Sequence, residues 1–153
     1  MKETDKIMAE QVKRLRDTLR ELNRVYEDYA RSVNIPYTTL HILTLITQME
    51  NCTQKAICER TFLPKQTVSN VITLFYKQGI VELKEVSADR RNKTIHLTKS
   101  GQQFADSLIP QIQNAEYEAM EKLTPKQRQA LIEGIKIYGE TFRQAMPARE
   151  NNS

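Results

Sequence analysis

Six polar side chains fall between positions 65 and 73: Lys65, Gln66, Thr67, Ser69, Asn70 and Thr73. They interleave with Val68, Val71, Ile72 and Phe75, which stand at i, i+3, i+4 and i+7. On a helix that spacing gathers the apolar residues on one face and leaves amides and hydroxyls on the other. Such groups break no bonds, but they recognise. Gln and Asn pair bidentately with adenine, while Ser and Thr contact bases or phosphates. Thr53 and Gln54, which open the preceding helix, join this candidate DNA-binding set. A second cluster, Arg90, Arg91, Asn92 and Lys93, closes a polar connection that begins at Ser87. An arginine on a hairpin can enter a narrow minor groove, where A·T-rich DNA concentrates negative potential. Each cluster has a plainer reading, a solvated helix face for the first and a solubilising loop for the second.

Other reactive side chains point to less. Tyr26, Tyr29, Tyr37 and His41 gather at the join between the first and second helices, and rings with polar tips suit a small phenolic or lipophilic effector. For Tyr26 and Tyr29 core packing is the favoured reading. Cys52 lies near a helix start, a position that favours exposure, a lowered pKa and oxidation. Cys58 points inward and reads as a buried, inert thiol. His41 and His96 belong to no metal-ligand spacing, so neither a metal nor a cofactor is expected. The sequence contains no phosphate loop, nucleophile elbow or paired catalytic carboxylate motif, so an enzyme is not expected.

Charge separates recognition from a bland surface. The 153 residues carry 23 Lys and Arg against 19 Asp and Glu, a net +4. Residues 62–101 alone hold seven basic and three acidic side chains, which equals the whole excess. Positive charge confined to one 40-residue stretch is the footprint expected of phosphate binding. No apolar run is long enough to span a bilayer and the N-terminus lacks an apolar signal core, so a cytoplasmic protein is expected, with no membrane partner.

The elements that would position these groups follow from periodicity. Met8, Val12, Leu15, Leu19, Leu22, Tyr26, Tyr29 and Val33 alternate at spacings of four and three, the seam of a long amphipathic helix that Pro36 ends. A short apolar helix follows from Tyr37 or Thr38. Thr53 caps the next, and a helix over 65–78 stops at Gly79. The period then drops to two, giving strands at 80–86 and 95–97. A helix starting at Thr98 runs to about Ala119 with a kink at Pro110, and a capping box at Thr124 starts the last one. The fold class is therefore mainly α with a small β-hairpin wing. A winged helix-turn-helix domain at 35–97 is flanked by a helical dimerisation region formed by 1–34 and 98–147, with a disordered tail at 148–153. The end helices hold more apolar seam than so small a middle domain can cover, which predicts a homodimer.

The segments Leu63-Pro64-Lys65-Gln66-Thr67-Val68-Ser69, Gly79-Ile80-Val81-Glu82, Asp89-Arg90-Arg91 and Leu97-Thr98-Lys99-Ser100-Gly101 resemble the MarR family of bacterial transcriptional regulators. The resemblance covers nearly the whole chain. It implies a homodimeric, sequence-specific regulator, a repressor by the commonest pattern, on double-stranded DNA with a pseudo-palindromic operator. A small phenolic or lipophilic effector would lower its DNA affinity, and Arg91 would brace the wing through Asp89. The chain departs from the family pattern at Asn70, Leu74 and Leu83, where arginine is common, and at Phe62, where glycine is usual. Base readout should then lean on amides and hydroxyls, with the wing supplying more of the electrostatic grip. Two alternatives share the fold: a cysteine-based oxidant sensor, and a protein-interaction module without specific DNA binding.

Overall fold

The computed structural model describes residues 3–86 and 89–147, with backbone alone for 89–92. Its elements run α1 (Glu3–Ser32), α2 (Tyr37–Gln48), α3 (Gln54–Thr61), α4 (Lys65–Lys77), β1 (Val81–Val86), β2 (Asp89–Leu97), α5 (Lys99–Asp106), α6 (Ile109–Glu121) and α7 (Pro125–Ala145). They form two compact units, Met1–Ser107 and Leu108–Ser153.

In the first unit the apolar spacing does what periodicity requires. Val68, Val71, Ile72 and Phe75 of α4 are buried, and they share a core with Leu40, Ile42 and Leu43 of α2, Ile57 of α3, and Ile80, Val81 and Ile95 at the hairpin root. The starts and stops are equally local. The Thr53 hydroxyl accepts from the Ala56 N–H at 3.1 Å and so caps α3. Gly79, just past α4, has φ +69°, the left-handed position that glycine takes without a steric penalty. Helix α1 stops at Ser32, ahead of Pro36. Asn34 takes φ +56°, and the Ile35 N–H returns to the Ala30 carbonyl at 3.0 Å.

The hairpin pairs Val81 with Leu97, Leu83 with Ile95 and Glu85 with Lys93, with a bulge between Glu85 and Val86. The second strand is longer than the apolar alternation indicated. It reaches back to Asp89, because the ladder continues through polar residues whose periodicity gives no signal. Lys93 therefore belongs to a strand and not to a loop. The Ile95 N–H turns away from β1 to donate to the Cys52 carbonyl at 2.7 Å, so the segment before α3 lies along the far edge of β2.

Thr98 ties three segments together. Its hydroxyl donates to the Gly79 carbonyl, its N–H donates to the Ile80 carbonyl at 3.0 Å, and its oxygen accepts from the Gly101 N–H at 3.0 Å. The helix expected to kink at Pro110 is instead two helices. The first ends at Asp106, and Pro110 occupies the opening turn of α6, where its missing N–H costs nothing.

In the second unit the Thr124–Gln127 capping box forms in both directions, at 2.9 and 3.3 Å. Arg128 Nε closes the turn between α6 and α7 on the carbonyls of Met120 and Leu123, at 2.8 and 3.1 Å. No residue of α7 is buried, and Leu131, Ile132, Ile135 and Phe142 stand exposed along it.

Candidate nucleic-acid interface

Helix α4 presents Lys65, Gln66, Asn70 and Thr73 to solvent, with Thr67 and Ser69 half-buried on its flanks. Gln66 Nε2 donates to Asn70 Oδ1 at 2.8 Å, so two of these amides are already aligned one turn apart. The burial of Val68, Val71, Ile72 and Phe75 makes this orientation obligatory, since turning the helix would expose the core.

A concavity of about 480 Å³ lies where α3, α4 and the hairpin meet. It is lined by Thr53, Gln54, Lys55, Cys58, Lys65, Leu83, Lys93 and Ile95. Four residues singled out in the sequence, Thr53, Gln54, Lys65 and Lys93, are thus brought together from three separate stretches. Lys55 had not been singled out, although its place in the first turn after the Thr53 cap aims it at the same surface. Lys55 lies 3.9 Å from Glu59, an exposed pair of little strength. Thr53 spends its hydroxyl on capping, which leaves Gln54 and the three lysines as the polar groups facing outward. The side chains of Arg90, Arg91 and Asn92 lie outside the described residues, as do Ser87, Ala88 and the 148–153 tail.

Neither cysteine holds the place expected of it. Cys52 is fully buried, and burial pushes its thiol up to about 11. The segment before α3 is held against β2 by the Cys52 carbonyl, which draws the residue inward and removes the exposure that a helix start had suggested. Cys58, expected to be buried, is half-exposed and faces the basic concavity. Among the described residues no three His, Cys, Asp or Glu side chains gather as a metal site.

Near the end of α1 the aromatic cluster is partly assembled. The Tyr26 and Tyr37 rings lie 6.3 Å apart, and Tyr37 stacks on His41 at 6.0 Å. A cavity of about 610 Å³ opens beside them, lined by Glu27, Ala30, Arg31, Asn34, Ile35, Pro36, Tyr37 and Thr38. Of the four aromatic candidates only Tyr37 lines it. Burial, and then the nearby Glu27 carboxylate, raise the Tyr37 pKa, so the phenol is held neutral. Glu27 and Arg31 were not legible as lining residues because their heptad positions read as a solvated face. Arg31 is paired with Asp28 at 3.0 Å.

A model described as MarR family matches residues 33–92, the stretch from the end of α1 into β2. Over that stretch the chain resembles the MarR family. It is 29% identical over 84 residues to the HTH-type transcriptional regulator SarZ of Staphylococcus haemolyticus, and that match covers 55% of this chain and 57% of the relative. Against SarZ of Staphylococcus epidermidis it is 26% identical over 119 residues, covering 78% and 79%. Among solved structures, NMB1585, a MarR family regulator from Neisseria meningitidis, superposes with TM-score 0.76 at 25% identity, over 88% of this chain and 94% of that one. A complex of Staphylococcus aureus MepR with DNA shares the fold with TM-score 0.69 at 17% identity, over 86% and 97%. The mainly α fold with a small β-hairpin wing is the one these solved structures share, and no helix of the described residues is long and apolar enough to cross a membrane.

Proposed function

We propose that this chain is a MarR-family, sequence-specific DNA-binding transcriptional regulator that acts as a homodimer on a pseudo-palindromic operator, in the repressor mode. The observation that carries this reading is the concavity ringed by Lys55, Lys65 and Lys93 beside the outward amides of α4. Lysines converging from a helix start, a recognition helix and a hairpin make a surface that neutralises phosphates, while the amides beside them reach base edges. A protein-interaction module would have no need of this arrangement. The MepR complex supports the reading through its fold.

Residues 35–97 serve as the DNA-binding domain in this proposal, and 1–34 with 98–147 as the dimerisation region. The exposed apolar side chains of α7 favour the latter, because Leu131, Ile132, Ile135 and Phe142 have no cover within their own unit. A two-fold dimer would set two α4 helices roughly 34 Å apart, one turn of DNA. The cavity beside the neutral Tyr37 phenol suits a small phenolic or lipophilic effector, which would act by favouring a dimer with wrongly spaced helices. Such a regulator works in the cytoplasm, where its DNA is. Oxidant sensing through Cys52 is not favoured, because a buried thiol with a raised pKa is a poor nucleophile.

The test is an anisotropy titration with the DNA upstream of the chain's own gene and with random duplex, over a range of salt. The upstream DNA should bind more tightly at every salt concentration. Replacing both Lys65 and Lys93 by Gln should flatten the slope of log affinity against log salt by about 1.8. Equal affinity for random DNA at all salts overturns the proposal.

A further inference from the structure

We infer that the ridge Gln66–Asn70–Leu74 of α4 reads an adenine and, within two base pairs of it, a thymine methyl group; this rests on the DNA-binding reading above. The three residues are spaced i, i+4 and i+8, one row along the outward side of the helix. Leu74 is 45% exposed on a helix whose other large apolar residues, Tyr76 apart, are buried. Its solvation is unfavourable unless something apolar covers it.

The chemistry of base edges narrows what each member can meet. In their mutual hydrogen bond the Gln66 and Asn70 amides use one donor and one acceptor. That bond leaves Gln66 Oε1 free to accept and Asn70 Nδ2 free to donate on the solvent side of α4. Adenine offers the complement side by side, the N7 acceptor and the N6 donor. Guanine offers two acceptors, which leaves the Gln66 oxygen without a donor to meet. Leu74 has no hydrogen-bonding group, and covering a polar base edge with it would strand that edge without a partner. The thymine methyl is the one apolar group that a base pair presents in the major groove. Four residues of helix advance about 6 Å, and base pairs are stacked about 3.4 Å apart, so the methyl lies no more than two steps from the adenine. The pre-formed amide bond also fixes two rotatable side chains before DNA arrives, which lowers the ordering cost of the contact.

The experiment selects duplexes from a randomised library with the full-length protein, then measures affinities by anisotropy. Each enriched half-site should hold an adenine and a thymine within two base pairs. Changing that adenine to guanine should weaken wild type roughly 5- to 100-fold. Replacing the thymine by deoxyuridine, which removes only the methyl, should cost about fourfold. In Leu74→Ala, and in Leu74→Gln as a second variant of similar length, the deoxyuridine penalty should vanish while the adenine preference persists. Enrichment of G·C at these positions, or a deoxyuridine penalty undiminished in both Leu74 variants, overturns the assignment and leaves the regulator reading standing. A library that yields no enrichment over random duplex overturns both.

Discussion

Substituting Gly101 by alanine tests the junction that holds the hairpin to the end of α4. An ideal Cβ at this position falls 1.8 Å from the Ile80 carbonyl oxygen and 2.8 Å from its carbon, both backbone atoms. Carbon and carbonyl oxygen approach comfortably to about 3.3 Å, so α5 or the start of β1 must shift by about 1.5 Å. That carbonyl accepts from the Thr98 N–H at 3.0 Å, and the shift breaks this bond. Overpacking costs about 1–3 kcal/mol and the lost hydrogen bond about 1 kcal/mol, while alanine's better helix propensity returns about 1 kcal/mol. The net loss is about 1–3 kcal/mol, a large share of a typical domain's stability. Urea unfolding followed by circular dichroism, at one protein concentration, should show a lower midpoint with an unchanged slope, and Tm should fall by roughly 5–15 °C. A variant that unfolds together with wild type would refute the close approach, and with it the account of Thr98 as the knot between hairpin and helix.

The remaining predictions concern single residues. Phe62 holds a left-handed φ of +57° while 69% exposed, so Phe62→Gly should raise stability by about 0.5–1 kcal/mol in the same urea assay. Cys58 should react with N-ethylmaleimide well before Cys52 in the native protein, at rates that converge in denaturant, as followed by mass spectrometry. The Cys52 thiol is raised from 9.0 to about 11, so its folded pKa lies above its unfolded one. The stability gained by keeping it neutral is intact below about pH 9 and is lost as pH climbs through about 11, a loss of about 2–3 kcal/mol. Cys52→Ala should remove that part of the alkaline decline when urea midpoints are compared at pH 8 and at pH 11.

Legibility in the sequence followed the range of the interaction. The buried face of α4, the Thr53 and Thr124 caps and the Gly79 stop were all readable, because each is decided within a turn or two of chain. The two thiols were not. Cys52 is held inward where a hydrogen bond joins it to Ile95, more than 40 positions away, and Cys58 faces a concavity completed by the hairpin. The start of β2 at Asp89 was hidden for a related reason, since ladder partners supply pairing to residues with no apolar alternation of their own. Pro110 marked a break correctly in place but not in kind, because one proline serves equally well to kink a helix or to open one. In the candidate site, Lys55 and Cys58 emerged only once α3 was seen to share a concavity with the hairpin.

The bond from the Ile95 N–H to the Cys52 carbonyl also bears on how copies of this chain can meet. A two-stranded hairpin ordinarily offers two open flanks to which a stray strand could add. Here the β2 flank is occupied at its root by the chain's own backbone. The β1 strand carries Glu82 and Lys84, paired at 3.0 Å and both about half-exposed. Charges along a strand discourage strand addition at its flank. With one flank occupied at its root and the other guarded by charge, the sheet is poorly suited to growth by strand addition.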